Sequence, residues 1–170
     1  MRTRRQLPLT TTVISPLPKI PTAQHGCNGC AEKESDRMMS TREKHPKIHR
    51  IALVDNDPRA LDSLSAVIAS KVPTAYVVWT ATSGCEAIER CQDANGHVSL
   101  LILDMSMEGL QGPATCRRLR LMDQRMPILG ATSFSINSYR DKLVEAGAQG
   151  LVGKENADQL AQIIMRMCNG

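Results

Sequence analysis

The sequence predicts an α/β fold, a doubly wound five-stranded parallel sheet with helices on both faces. Short apolar runs alternate with segments of helical periodicity five times from about residue 49 onward. Because the runs show no polar alternation, they are typical of strands buried on both faces, as in parallel sheets. Right-handed crossovers then give a flavodoxin-like three-layer sandwich, for which the common strand order is 2-1-3-4-5.

Five short apolar segments form the predicted strands. They cover residues 51–54, 76–79, 100–103, 127–131 and 151–152. Each run is bounded by polar or turn-forming residues, as expected of short strands in a sheet core. The first and third runs are each followed by an aspartate, Asp55 and Asp104.

The segments after these strands have apolar residues spaced three and four apart, which predicts amphipathic helices. Their predicted buried faces hold Leu61, Leu64, Val67 and Ile68; Ala87, Ile88 and Cys91; Leu119 and Met122; Ile136, Tyr139 and Leu143; and Leu160, Ile163, Ile164 and Met167. Pro58 and Pro113 suit the first turns of the first and third helices. Turn residues at 95–96 and 146–147 are expected to end the second and fourth helices.

Residues 1–48 have a different character, and we expect this segment to be disordered because it is rich in proline and lacks apolar periodicity. Residues 1–46 contain 8 Lys/Arg and 4 Asp/Glu, whereas the remainder contains 13 of each. The net charge of +4 therefore belongs to the N-terminal segment. The neutral remainder lacks the positive surface expected of a DNA-binding domain.

Three further features of this segment suggest alternatives that we consider weak. His25, Cys27 and Cys30 form an H-x-C-x-x-C motif, but a fourth zinc ligand is missing. The arginines at 4–5 precede an interrupted apolar stretch, so we do not expect an export signal. Translation that starts at the methionines at 38–39 would remove most of the segment.

The remaining four cysteines and the hydropathy indicate a cytoplasmic location. Cys85, Cys91, Cys116 and Cys168 are scattered singly through the predicted helices, so we interpret them as small apolar residues in a reducing compartment. No apolar run approaches the roughly 20 residues needed to span a bilayer.

Polar residues follow four neighbouring strands at the same edge of the predicted sheet. Asp55 and Asp104 follow the first and third runs, Thr132 the fourth, and Lys154 the fifth. In open α/β sheets, ligands bind beyond the carboxyl ends of the strands where the strand order reverses. Clustered carboxylates favour Mg²⁺, and a hydroxyl with an ammonium suits a phosphoryl group. The sequence therefore predicts phosphoryl transfer to a carboxylate.

Each of these residues also has a purely structural interpretation. Asp55 or Asp57 could cap the first helix before Pro58. Thr132 and Ser133 could cap the fourth helix. Only their convergence favours a functional site.

Four stretches of residues 49–168 resemble the receiver domains of two-component response regulators. They are IALVDNDP, LLILDMSMEGLQG, PILGATS and EAGAQGLVGKE, in this order along the chain. The resemblance is closest to receivers that precede a helix-turn-helix DNA-binding domain. It implies a phosphoacceptor at Asp104, metal ligands at Asp55, Asn56, Asp104 and the Ser106 backbone carbonyl, and switch or phosphate-binding residues at Thr132 and Lys154.

Four positions depart from the usual pattern of this family. Asn56 replaces the second member of an acidic pair, so one formal charge for the metal is missing. Glu108 and Glu155 stand where many relatives have proline. Leu151 replaces a switch aromatic residue, so aromatic coupling to Thr132 is not expected.

The resemblance implies a signalling phosphoacceptor, not a general enzyme, which catalyses only its own phosphotransfer and dephosphorylation. A sensor histidine kinase would donate the phosphoryl group, with Mg²⁺ as cofactor. Output would pass through a homodimer or a downstream protein at the face of the fourth helix, fifth strand and fifth helix. We expect neither DNA binding by this chain nor a membrane partner, and we expect no output domain within it.

Two alternatives come from other functional classes. The chain could be a pseudo-receiver that binds partners without phosphorylation, which Asn56 would favour. It could also be a small flavodoxin-like protein that binds a phosphate ligand, although no glycine-rich loop follows the first strand.

Overall fold

The computed structural model describes residues 47–93 and 95–169. The expectations for the disordered segment, its H-x-C-x-x-C motif and the alternative start concern residues outside this described part, apart from residues 47 and 48. The strands are β1 (His49–Val54), β2 (Ala75–Ala81), β3 (Leu100–Asp104), β4 (Ile128–Thr132) and β5 (Gly150–Gly153). The helices are α1 (Pro58–Lys71), α2 (Gly84–Gln92), α3 (Gly112–Met122), α4 (Ile136–Glu145) and α5 (Ala157–Asn169).

The sheet is parallel, with the strand order β2-β1-β3-β4-β5. This confirms the predicted doubly wound topology, with its reversal of strand order between β1 and β3. The register between β1 and β2 shifts once, because Ile51 pairs with Val77 while Ala52 pairs with Trp79. The shift lies in the edge strand β2, most of which is only half-buried.

Two apolar layers explain why the central strands contain uninterrupted apolar sequence. In β3, Leu101 and Leu103 pack on one face with Cys116 of α3 and Leu143 of α4. On the opposite face, Leu100 and Ile102 pack with residues of α1 and α5. Each strand residue thus enters one of two cores, as expected for a strand covered on both faces. The sheet is therefore the middle layer of a three-layer sandwich.

Two helix ends follow the predicted capping signals and two do not, since α2 already ends at Gln92 with Asp93 as its C-cap, before the turn residues at 95–96. Asp57 is the N-cap of α1, its side chain accepting from the Arg59 N–H at 2.9 Å, and Pro58 is the first helical residue. Gly147, with a φ of 88°, follows the C-cap of α4 in the left-handed conformation that favours glycine. The start of α4 also differs, because neither Thr132 nor Ser133 caps it. The N-cap there is Ser135, which makes no side-chain capping bond.

The cysteines divide into different environments. Cys116 is buried and its thiol donates to the Ala146 carbonyl oxygen, whereas Cys85 on α2 is exposed. Cys116 is thus a small residue of the core, whereas Cys85 lies on the surface, and both are free thiols. In the described part of the chain, we find no helix with the length and apolar character that a membrane span requires.

Candidate functional site

Four strand ends bring polar side chains to the carboxyl-end edge of the sheet. Asp55 follows β1, Asp104 ends β3, Thr132 ends β4 and Lys154 follows β5. Main-chain bonds continue the ladder to this edge, since the Lys154 N–H donates to the Thr132 oxygen at 2.9 Å and the Asp55 N–H to the Ala81 oxygen at 3.0 Å. The side chains are therefore carried by rigid backbone.

The Lys154 ammonium joins the two aspartates. Its Nζ lies 2.5 Å from Asp55 Oδ2 and 2.8 Å from Asp104 Oδ1. The Lys154 side chain is 14% exposed, and those of Asp55 and Asp104 are 1% and 5% exposed. Two carboxylates this deeply buried would repel each other strongly, and the ammonium offsets part of that cost.

Backbone donors bind the other carboxylate oxygens. Asp55 Oδ1 accepts from the Asp57 N–H at 3.0 Å, and Asp104 Oδ2 accepts from the Ser106 N–H at 3.2 Å. Every carboxylate oxygen of the pair therefore has a donor, and both side chains are held in one orientation. Between residues 47 and 169, Ala94 excepted, no buried side-chain nitrogen or oxygen lacks a hydrogen-bond partner.

The acidic surroundings keep Lys154 charged. Burial acts to lower the pKa of Lys154, but hydrogen bonds and charge from Asp104 and Asp55 outweigh it, so the net pKa lies above the usual value. This ammonium is thus a permanent positive charge at neutral pH. It could offset the negative charge on the oxygens of a phosphoryl group bound at this site.

Close packing of α3 positions the end of β3. A Cβ atom added to Gly112 would lie 2.3 Å from the Asp104 carbonyl oxygen and 2.8 Å from the Met105 Cα. Only glycine allows α3 to begin this near the strand. The loop of residues 105–111, which includes Ser106, is therefore held close to the end of β3.

Thr132 is fully buried, and its hydroxyl takes part in a local turn. Its Oγ1 accepts from the Phe134 N–H at 3.0 Å, which fixes the loop after β4. Phe134 itself is 62% exposed beside the site. Sequence reasoning did not identify Phe134, although a lone aromatic residue in a polar loop after a strand is a usable signal.

The side chains of the two residues that follow Asp55 have different roles in the structure. Asn56 is exposed at this edge, whereas Asp57 uses its carboxylate to cap α1. Glu108 and Glu155, two of the departures from the family pattern, are also exposed. Leu151 is buried, and a Cβ added to Gly130 would meet its side chain at 3.0 Å and that of Leu143 at 2.4 Å.

The chemistry of the available donors suits a hard cation. Asp55 and Asp104 provide carboxylate oxygens, Asn56 an amide oxygen, and Ser106 a main-chain carbonyl oxygen. Mg²⁺ prefers such oxygen ligands and keeps several waters. Among the described residues no three His, Cys, Asp or Glu side chains are grouped to hold a metal.

Comparison with protein families identifies this arrangement. The family of the response regulator receiver domain matches residues 51–165, which include all four strand-end residues. The response regulator MprA of Mycobacterium ulcerans (strain Agy99) is 33% identical over 118 residues, covering 69% of this chain and 48% of MprA. The chain thus spans about half the length of the curated relatives it matches.

Solved structures agree in fold. A two-component response regulator of the LuxR family from Aurantimonas sp. SI85-9A1 is 27% identical with a TM-score of 0.67, covering 73% of this chain and 87% of that chain. The BeF3-activated DrrB receiver domain, from Thermotoga maritima, is 23% identical with a TM-score of 0.61, covering 72% and 99%. Sequence and fold together show that the chain belongs to the response regulator receiver domain family.

Proposed function

We propose that this receiver accepts a phosphoryl group on Asp104 from a sensor histidine kinase of a two-component system. The observation that carries the proposal is the contact of Lys154 Nζ with Asp104 Oδ1 at 2.8 Å and with Asp55 Oδ2 at 2.5 Å. It supports the assignment because Asp104 ends the central buried strand beside the Lys154 ammonium, which could also pair with a phosphoryl group on Asp104.

Each residue then has a distinct task in the transfer. An Asp104 carboxylate oxygen attacks the phosphorus of the donor phosphohistidine, forming a P–O bond while the P–N bond breaks. The imidazole leaves and takes up a proton. Lys154 balances charge on the transferred group, and the Ser106 N–H keeps Asp104 oriented by its bond at 3.2 Å.

Mg²⁺ is the proposed cofactor, held by Asp55, Asn56, Asp104 and the carbonyl oxygen of Ser106. Receiver domains generally bind Mg²⁺ at an acidic pocket of this kind. When bound, the ion would neutralise charge on the phosphoryl oxygens. The donors present here fit it, although Asn56 brings one negative charge fewer than an aspartate would.

Thr132 and Lys154 are the proposed switch residues. The Thr132 hydroxyl can donate to a phosphoryl oxygen, and the loop that begins with Phe134 is tied to that hydroxyl at 3.0 Å. A change at Asp104 would thus reach the face of α4, β5 and α5, where a homodimer or a downstream protein would bind. This signalling acts in the cytoplasm, with no direct DNA binding by this chain.

Intact-mass measurement after incubation with a small-molecule phosphodonor and Mg²⁺ tests the proposal. We expect one acid-labile phosphoryl group on the unaltered protein and none on Asp104→Asn. Asp57→Asn is the matched control, because Asp57 is a neighbouring exposed carboxylate that caps α1. This control should be labelled as the unaltered protein is.

Other outcomes would overturn parts of the proposal. Labelling of Asp104→Asn to the same extent would show that the acceptor is wrong. No labelling of any variant, together with retained binding to a kinase, would favour the pseudo-receiver. The family match does not favour a flavodoxin-like protein for a phosphate ligand.

A further inference from the structure

The main chain of Ser106 lies beside the proposed phosphoacceptor and depends on the loop that carries it. Its N–H donates to Asp104 Oδ2 at 3.2 Å, and its carbonyl oxygen is a proposed ligand of Mg²⁺. Both groups keep their place while the loop of residues 105–111 keeps its shape. The contacts that fix this loop therefore help to build the site.

Side-chain packing holds this loop loosely. Met105 and Met107 are buried, but flexible methionine side chains adapt to irregular gaps and do not fix the backbone closely. Glu108 stands where many relatives have proline, so a restriction on the backbone is missing. Gly109 is exposed, and a Cβ added to it would meet no atom within 4 Å. The second half of the loop therefore depends on hydrogen bonds.

A buried hydroxyl binds the end of the loop. Thr115, in the first turn of α3, is fully buried, and its Oγ1 lies 3.2 Å from the Leu110 carbonyl oxygen and 3.1 Å from that of Gln111. The start of α2 covers this contact, since a Cβ added to Gly84 would lie 2.1 Å from Thr115 Oγ1 and 2.8 Å from the Leu110 oxygen. A hydroxyl enclosed in this way must donate its hydrogen to one of the two carbonyls.

The bond to Leu110 differs from an ordinary contact within a helix. A threonine in a helix often donates to the carbonyl four residues earlier. Gln111 occupies that position, but its oxygen already accepts from the Thr115 N–H at 2.9 Å. Leu110 precedes the helix, and no main-chain N–H of residues 47–93 or 95–169 donates to its oxygen. The Thr115 hydroxyl is thus the donor that ties the loop to α3 at this point.

We propose that Thr115 is a positioning residue for the Mg²⁺ site, an inference that rests on the proposed function. Its hydroxyl fixes the end of the 105–111 loop against α2 and α3, and this keeps the Ser106 carbonyl oxygen where it can bind the ion. Groups that orient metal ligands affect affinity strongly, although they do not touch the metal. Removing the hydroxyl leaves the Leu110 carbonyl without this donor, and the loop then samples more conformations.

Calorimetric titration of the full chain with Mg²⁺ tests the proposal. Thr115→Val removes the hydroxyl, keeps the branched shape, and should weaken binding about tenfold. Thr115→Ala also lacks the hydroxyl but adds no atom beneath Gly84, so it should weaken binding to the same extent. Thr115→Ser keeps the hydroxyl, and its affinity should stay within about twofold of the unaltered protein. Equal affinity of all four proteins, or a loss in Thr115→Ser as large as in Thr115→Val, would overturn the proposal.

Cys116→Ala is the matched control for a merely structural role. Cys116 is the next residue of α3, is equally buried, and its thiol donates to the Ala146 carbonyl oxygen at the end of α4. Urea unfolding should show that Cys116→Ala and Thr115→Ser lose stability, whereas calorimetry should show nearly unchanged Mg²⁺ binding for both. If Cys116→Ala weakens Mg²⁺ binding as much as Thr115→Val does, the effect follows from stability and the positioning role is wrong.

Amide hydrogen exchange followed by NMR measures the loop itself, without metal. The Ser106 N–H should exchange several-fold faster in Thr115→Val and Thr115→Ala than in the unaltered protein, because the loop opens more often. Its exchange should be unchanged in Thr115→Ser and Cys116→Ala. Unchanged exchange of Ser106 in Thr115→Val would mean that the hydroxyl does not hold the loop.

The same measurements distinguish a failure of this role from a failure of the proposed function. If the unaltered protein binds Mg²⁺ and is phosphorylated on Asp104, but Thr115→Val binds Mg²⁺ equally well, the role of Thr115 alone is wrong. If the unaltered protein binds no Mg²⁺ and takes up no phosphoryl group, the proposed function fails and the positioning role fails with it, whatever the Ser106 exchange shows.

Discussion

The two edges of the sheet each hold a cation, but they hold it with different partners. At the carboxyl-end edge, the Lys154 ammonium contacts the carboxylates of Asp55 and Asp104. Both partners are charged and deeply buried. The favourable contacts there depend on a balance of charges that a phosphoryl group or a metal ion would change.

At the amino-end edge, the guanidinium of Arg120 donates only to neutral oxygens. Nε donates to the Gly147 carbonyl at 2.7 Å, and Nη1 to those of Met126 at 2.6 Å and Asp123 at 3.2 Å. Nη2 donates to Gln149 Oε1 at 3.0 Å. These bonds tie the end of α3 to the segments around β4 and β5.

The ion pairs of Lys154 and the hydrogen bonds of Arg120 differ in how readily one partner can be replaced by another. Desolvation lowers the pKa of Arg120, as expected for a cation among dipoles, whereas the carboxylates raise that of Lys154 despite its burial. A lysine ammonium is a compact charge that can change partners, but an arginine fork fits a fixed set of acceptors. The contacts of Lys154 can therefore be exchanged more readily than the bonds of Arg120.

The largest loss of stability is expected at the amino-end edge, where Arg120 lies. Arg120→Ala should lower the free energy of unfolding by about 3–4 kcal/mol, because several main-chain carbonyls lose their donor together. Urea unfolding followed by circular dichroism measures this. Arg120→Lys should lose most of the same stability, since one ammonium cannot reach all the acceptors. Arg118→Ala, which removes an exposed arginine from the same helix, should have little effect, and a loss equal to that of Arg120→Ala would contradict the comparison.

At the carboxyl-end edge, the loss of stability should be smaller, and a divalent cation should reverse part of it. Lys154→Met should cost about 2–3 kcal/mol without divalent ions, because two buried carboxylates lose their shared counter-charge. Adding Mg²⁺ in the same unfolding experiment should narrow the gap for this variant and not for Arg120→Ala. Lys71→Met, which removes an exposed ion pair with Asp158, is the control and should change little. A loss for Lys154→Met that Mg²⁺ leaves unchanged would argue against a cation site.

A third prediction concerns the missing charge at this edge. Asn56→Asp should tighten Mg²⁺ binding about tenfold, as one more carboxylate within a few ångströms would do. Calorimetry is the suitable measurement, because the Trp79 indole donates to the Gly96 carbonyl oxygen near the opposite edge. Unchanged or weaker binding would contradict the prediction that the missing charge at position 56 limits the affinity for Mg²⁺.

The smallest expected effect lies at the start of α2, outside both clusters. The Thr82 N–H lowers the pKa of Glu86 most, with further bonds from Arg90 and the Thr82 hydroxyl. A lowered pKa stabilises the fold above the ordinary value near 4.5, and this contribution disappears as the pH falls through the folded-state pKa. Glu86→Gln should cost about 0.5 kcal/mol at neutral pH, since about a third of the Glu86 side chain is exposed.

Unfolding measured against pH checks this assignment. The difference between Glu86→Gln and the unaltered protein should shrink below about pH 4.5. A difference that stays constant down to pH 3 would mean that the charge of Glu86 contributes nothing.

The sequence by itself determined the fold and the edge at which the polar residues meet. Apolar runs reveal strands buried on both faces, and helical spacing reveals the crossovers between them. Parallel strands then require Asp55, Asp104, Thr132 and Lys154 to share one edge, which the strand order confirms. Their convergence needed only periodicity and topology.

Only the tertiary structure decided what each of these side chains touches. That Lys154 bridges both aspartates, that Asp57 caps α1, and that Thr132 accepts from the Phe134 N–H depend on distances between separate elements. Arg120 shows the same limit: it follows Cys116 by four residues on the buried side of α3, but its acceptors lie up to 29 residues away. Periodicity records whether a residue is buried, whereas its hydrogen-bond partners are set by long-range packing that local sequence does not encode.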